Sequence, residues 1–155
     1  MATTVTRTTQ ATPNQVFAQL SDGWIFAAWV VGASHIRDVT DDWPAVGAQL
    51  HHKVGPWPIS LKDSTEVVDV VEDERLVLLA RAKYLGDARV ELTIDPQDKG
   101  SLITMAEEPI SGPGKVLDNP LQRYALRRRN IESLARLATL AERRPRPRTA
   151  KTAAS

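Results

Sequence analysis

The side chains best suited to proton transfer or metal binding are the three histidines, His35, His51 and His52. Neighbouring residues of a β-strand point to opposite faces of a sheet, so His51 and His52 cannot bind one metal ion together. The chain contains no cysteine, which removes thiolate ligands, disulfides and a cysteine nucleophile. We therefore expect no metal site and no cofactor.

His52 is the candidate for catalysis. Leu50, His52 and Val54 form the mostly apolar set of a strand predicted near 47–55, which predicts that His52 points inward and His51 outward. A histidine on an apolar wall can act as a general acid or base near neutral pH. The same position also suits a purely structural histidine. Tyr84 and Tyr124 are candidate hydrogen-bonding partners for it.

Arg127 is the second candidate site residue, because it falls inside the apolar arc of a predicted C-terminal helix. A cation on a buried face needs a partner. That partner is an anionic ligand group, or Glu107 or Glu108, unless the side chain extends to the surface. The run 127–129 does not indicate a nucleic-acid site, because a helix spreads three successive residues around its circumference.

Four tryptophans are numerous for this length. Trp24 and Trp29 lie on a short, mostly apolar helix predicted over 24–31, so we expect both to be buried in the core or a cavity wall. Trp43 and Trp57 neighbour prolines near strand ends. They would either border an opening or plug it.

The elements that must position these residues follow from periodicity. Alternating β-branched residues predict a strand over 2–10, and Thr12 to Gln15 form a capping box that begins a helix. From residue 34 to 108 the period is two, with turn-forming residues between strands, which indicates an antiparallel meander. Its predicted strands are 35–40 and segments near 47–55, 59–72, 75–84, 88–95 and 101–108. A long amphipathic helix spans 120–142.

Strand alternation sorts side chains between a solvent face and an inner face, and it places Val77 outside. The inward set is Leu76, Leu78, Ala80, Ala82, Tyr84, Val90, Leu92, Ile94, Ile103, Met105 and Glu107. On the last helix, the predicted inward arc is Leu121, Tyr124, Ile131, Leu134, Ala135 and Ala138.

Composition is that of one soluble domain, with 155 residues, 42% hydrophobic content and a net charge of +1. The charge is unevenly spread, since 143–155 carry five positive charges and no acid and leave −4 on 1–142. We expect a single domain over 1–142 and a disordered basic tail over 143–155. No apolar run has the length of a signal peptide or membrane span, so a cytoplasmic protein without integral membrane association is expected.

This order of elements resembles the helix-grip fold of the START/Bet v 1-like (SRPBCC) superfamily, specifically its polyketide cyclase/dehydrase-like branch. The resemblance covers residues 2 to about 142. It is carried by segments 12–17, 28–32, 43–47 and 128–134. It implies an α+β fold: a curved antiparallel sheet of about seven strands, two short helices at one end, and a long C-terminal helix across the concave face.

Such a fold predicts a hydrophobic small-molecule ligand, namely a lipid, polyketide or aromatic metabolite, between sheet and helix. One alternative is a polyketide cyclase or dehydratase that uses His52 as proton carrier. Another is a protein-interaction module without a ligand. We expect no nucleic-acid partner and either a monomer or a homodimer. The predicted ligand-binding residues are Trp24, Trp29, His52, Leu78, Tyr84, Leu92, Met105, Tyr124, Arg127 and Ile131.

Overall fold

The computed structural model describes residues 2–54, 61–84, 86–116 and 119–143. Seven strands form one antiparallel sheet with the order β1-β7-β6-β5-β4-β3-β2. The meander predicted for the middle of the chain is confirmed as β2 to β7, and the first strand, β1, pairs with the last, β7. The strands are β1 Thr3–Thr9, β2 Ala33–Val39, β3 Gln49–Val54, β4 Leu61–Val71, β5 Arg75–Ala82, β6 Gly86–Pro96 and β7 Ser101–Pro109. The helices are α1 Pro13–Leu20, α2 Phe26–Trp29, α3 Pro113–Val116 and α4 Pro120–Arg143.

Helix α1 begins at the capping box that the sequence predicts. The Thr12 side chain accepts a hydrogen bond from the Gln15 amide at 3.2 Å, and the Gln15 side chain accepts one from the Thr12 amide at 2.9 Å. Two backbone donors that the first turn would leave unpaired are thereby satisfied. Val16, Phe17 and Leu20 of this helix enter the core.

The second helical segment differs from its prediction. A 3-10 turn at Gly23–Ile25 precedes α2, which is a single turn. The segment is therefore two short turns rather than one continuous helix, and it is not buried all round. Phe26 and Trp29 enter the core, whereas Trp24 is 59% exposed and its predicted burial is wrong.

The long helix α4 is confirmed, and it covers the inner face of the sheet. It packs against β1, α1 and α2 and makes few contacts with the other strands. Its C-terminal half supplies the buried side chains Leu134, Leu137, Ala138 and Ala141. Its N-terminal half therefore stands away from the middle strands, and space remains beneath it.

The rotation of α4 about its axis differs from the predicted arc. Leu134 and Ala138 are buried as predicted, but Leu121, Tyr124 and Ile131 are exposed. The buried face instead includes the polar residues Asn130 and Ser133. Both bind partners on other elements, and those hydrogen bonds offset the cost of burying polar groups.

Two further predictions can be compared with the structure. Val77 is buried rather than exposed, because it lies on the central strand β5 with a neighbouring strand on each side, where Asp69 of β4 and Glu91 of β6 are its partners. Trp43 is buried and donates a hydrogen bond from Nε1 to the Leu20 carbonyl at 3.0 Å, so it plugs the structure. Trp57 and residues 144–155 lie outside the described part of the chain.

Candidate ligand-binding site

A cavity of about 450 Å³ lies between the sheet and the N-terminal half of α4. Its floor consists of alternate residues of three middle strands, because side chains two apart share one face of a sheet. Leu78, Ala80 and Ala82 come from β5, Ala88 and Val90 from β6, and Met105 and Glu107 from β7.

The roof and one end wall come from helices. Gln122, Ala125, Leu126 and Arg129 of α4 lie above the floor. The end wall is formed by α2 and the residues after it, namely Phe26, Trp29 and Val30 to Ala33. The small floor residues Ala80, Ala82 and Ala88 leave the volume that larger side chains would fill.

His52 and Asp63 form the polar end of the cavity. They occupy directly opposite positions of β3 and β4, so both side chains lie on the inner face. His52 is 7% exposed and Asp63 is 8% exposed. Thr65 follows on the same face, and its Oγ1 lies 3.2 Å from His52 Nε2.

The environment of His52 favours its neutral form. Burial lowers the pKa of the imidazole below its ordinary value of 6.5, and this effect outweighs the opposing attraction of the nearby Asp63 carboxylate. The Phe26 ring lies 5.5 Å away, centroid to centroid. Within the described residues, Nδ1 is buried and has no hydrogen-bonding partner. His52 is thus a buried group whose neutral form is favoured at the wall of the cavity.

A second polar group joins floor and roof. Glu107 Oε2 lies 2.5 Å from Nη2 of Arg129 and accepts a hydrogen bond from Nδ2 of Asn130 at 3.0 Å. Glu107 is almost fully buried, whereas the Arg129 side chain is 40% exposed. The ion pair satisfies the charge that Glu107 would otherwise leave unpaired in the interior.

Four of the ten predicted ligand-binding residues line this cavity: Trp29, His52, Leu78 and Met105. The inward direction predicted for His52, and likewise for Ile103, Met105 and Glu107, is confirmed. Leu92 points inward and is fully buried, but it belongs to the packed core beyond the cavity.

The other five predicted residues do not lie at the cavity. Four of them are exposed, namely Trp24, Tyr84, Tyr124 and Ile131. Trp24 belongs to the 3-10 turn before α2, and Tyr84 lies in the turn after β5. Tyr124 and Ile131 face outward because α4 is rotated from the predicted arc. Arg127 is exposed and donates a hydrogen bond to the Thr4 carbonyl at 3.1 Å. Neither tyrosine can therefore bind His52, and Arg129 takes the place expected for Arg127.

Sequence analysis missed Asp63, Thr65, Phe26 and Arg129. The segment 62–66, KDSTE, is polar on both faces, so alternation gives no inner face for β4. Only the register of β3 with β4 in the folded sheet sets Asp63 opposite His52.

Within the described residues, no group of three or more His, Asp or Glu side chains could hold a metal ion. No described helix is long and apolar enough to cross a membrane.

The chain belongs to the family described as polyketide cyclase/dehydrase and lipid transport, whose sequence profile matches residues 1–142. This agrees with the fold and with a cavity beneath the last helix. No curated protein matches the sequence significantly.

Solved structures show the same fold. A Rhodobacter sphaeroides protein has a TM-score of 0.72 at 18% identity, over 91% of each chain. The di-domain ARO/CYC protein StfQ from the steffimycin biosynthetic pathway has a TM-score of 0.70 at 12% identity, over 91% of this chain and 50% of StfQ. Ara h 8.0201 has a TM-score of 0.70 at 11% identity, over 92% and 97%. The START/Bet v 1-like fold is therefore confirmed.

Proposed function

We propose that this protein binds an amphipathic small molecule, of the lipid, polyketide or aromatic-metabolite class, in the cavity beneath α4. The observation that carries the proposal is an unfilled volume of about 450 Å³ with mainly apolar walls and polar groups at two places. Ligand pockets in proteins have this size and this composition. The polyketide cyclase/dehydrase and lipid transport family adds support from sequence.

The floor explains why the space stays open. Alanines at 80, 82 and 88 occupy positions where a packed domain would place larger side chains. An apolar guest entering this space would bury its surface against Leu78, Val90 and Met105, with a gain of about 25 cal/mol per Å².

The experiment is a titration with the neutral fluorophore N-phenyl-1-naphthylamine, whose emission rises in apolar surroundings. Wild type should bind it saturably, and Ala80→Phe should weaken binding at least about tenfold, roughly 1.4 kcal/mol, because the new ring occupies the cavity. The matched control is Ala106→Phe, at a β7 position that alternates with Met105 and Glu107 and faces the other side of the sheet. Equal binding by both variants would contradict the proposal.

A second candidate function is dehydration of a polyketide-like substrate, and the environment of His52 favours it. Neutral His52 would take a proton from the carbon beside a ketone, and the proton would leave with the departing β-hydroxyl as water. A general base must be unprotonated at the working pH, and burial, which lowers the pKa of His52, favours that form.

This second function is tested with 4-hydroxy-4-phenyl-2-butanone, which loses water to give a conjugated enone that absorbs in the near ultraviolet. Wild type should accelerate the reaction, and His52→Ala should remove the acceleration while N-phenyl-1-naphthylamine affinity changes less than about threefold. Enone formation by the variant at the wild-type rate would exclude His52 as the base.

A further inference from the structure

The charges around the cavity indicate which guests it accepts, an inference that rests on the proposed binding function. We propose that the guest is an uncharged molecule with a phenolic or alcoholic hydroxyl that donates a hydrogen bond to the Asp63 carboxylate. The cavity would then select against molecules that present a carboxylate.

Asp63 is a buried acceptor with capacity to spare. Its Oδ1 accepts a long hydrogen bond, 3.3 Å, from the Lys83 amide. Within the described part of the chain it forms no ion pair. An ionised carboxylate offers about four lone-pair sites, so a donor supplied by a guest would complete its hydrogen bonding.

His52 gives this end of the cavity a second buried polar group beside Asp63. The residue is 7% exposed and borders the cavity directly opposite Asp63. Its Nδ1 has no partner among the described residues. Because burial disfavours protonation of this ring, His52 offers a hydrogen-bonding atom near neutral pH but little positive charge to hold an anion.

Both arginines that border the cavity already pair with a carboxylate of the protein. Arg129 is engaged by Glu107 at 2.5 Å. Arg81 is engaged by Glu66 at 2.9 Å. An anionic guest would meet only the guanidinium donors that these pairs leave over, in competition with the carboxylates of Glu107 and Glu66.

Electrostatics therefore separates the two classes of guest. A carboxylate that entered this apolar volume would lose its hydration and face Asp63, a second negative charge. A hydroxyl gains a charge-assisted hydrogen bond at the same position. The hydroxyl compound should bind more tightly than its unsubstituted parent, and the carboxylate should bind least.

The experiment compares three compounds with one ring system, 2-naphthol, naphthalene and 2-naphthoate, by displacement of N-phenyl-1-naphthylamine at pH 7. Wild type should bind 2-naphthol at least about tenfold more tightly than 2-naphthoate, with naphthalene between them. Asp63→Asn keeps the shape and removes the charge but not the cost of dehydrating a carboxylate, so the ratio of the two affinities should decrease by at least about threefold. Asp95→Asn, at an exposed β6 position, is the matched control and should keep the wild-type order.

The outcomes separate this inference from the function beneath it. If all three compounds bind and 2-naphthoate equals or exceeds 2-naphthol, the charge argument is wrong while the cavity remains a binding site. If the fluorophore and all three compounds fail to bind wild type, the proposed function fails and the inference fails with it. The order of the three affinities is measured on the wild-type protein, so the test remains valid even if Asp63→Asn does not fold.

Discussion

Glu107 of β7 and Asn130 of α4 form a hydrogen bond of 3.0 Å between the inner face of the sheet and the last helix. Asn130 is fully buried and Glu107 is 7% exposed. The same carboxylate oxygen also accepts a hydrogen bond from Nη2 of Arg129. Two successive residues of α4 thus meet one acceptor in the sheet, which helps to fix the rotation of the helix above the cavity.

We expect Glu107→Gln to lower the free energy of unfolding by about 1–3 kcal/mol, measured by urea denaturation. The substitution removes the charge that Arg129 and Asn130 share, and a buried group that loses its partner costs about this much. Glu132→Gln is the matched control, since it breaks the exposed pair with Arg136, which is worth no more than about 0.5 kcal/mol. Equal losses of unfolding free energy in the two variants would show that burial does not strengthen the interactions of Glu107.

The rotation of α4 can be tested with two leucines of one helix. Leu137→Ala should cost about 2–5 kcal/mol, because it opens a cavity at a fully buried site. Leu121→Ala should change stability by less than about 0.5 kcal/mol, because that side chain is 76% exposed. The opposite ranking in urea denaturation would support the arc predicted from sequence.

Ser133 attaches α4 to the end of the cavity. Its Oγ accepts a hydrogen bond from the Val31 amide at 3.0 Å. Ser133→Ala leaves that amide without its acceptor, so we expect a loss of about 1–3 kcal/mol in thermal or urea unfolding. Thr139→Ala is the control: its exposed hydroxyl bonds within the helix, and alanine is the better helix former. A loss from Thr139→Ala as large as that from Ser133→Ala would contradict this assignment.

The lowered pKa of His52 predicts a pH-dependent stability. Above pH 6.5, the ordinary histidine value, the imidazole is neutral in both states and stability is at its full value. As pH falls below 6.5 the unfolded chain binds a proton before the folded protein does, so the free energy of unfolding decreases. The decrease continues until pH passes the lowered folded value.

The measurement is urea denaturation at several pH values between 7.5 and 5. The His52→Leu variant should lose the part of the decrease that His52 causes. The matched variant His51→Leu leaves His52 in place and should keep it. Identical pH profiles for wild type and His52→Leu would mean that burial does not disfavour protonation of His52.

Local chemistry determined much of the fold. The capping box at Thr12 and Gln15 starts α1 wherever the chain goes next, because both hydrogen bonds span three residues. The alternation in β5, β6 and β7 also needs no distant information, since a strand turns successive side chains to opposite faces. The inward directions of Leu78, Met105 and Glu107 followed from it.

Tertiary structure decided the rest. Which face of α4 is buried depends on Glu107 and the Val31 amide, which make polar Asn130 and Ser133 inner residues while Leu121 and Tyr124 stay in water. The spacing of apolar residues along a helix predicts which face is apolar. It does not show where another element offers a hydrogen-bonding partner. The pairing of β3 with β4 likewise brought Asp63 opposite His52. The segment KDSTE is polar on both faces, so its sequence does not show which residues point inward. The register with β3 decides that.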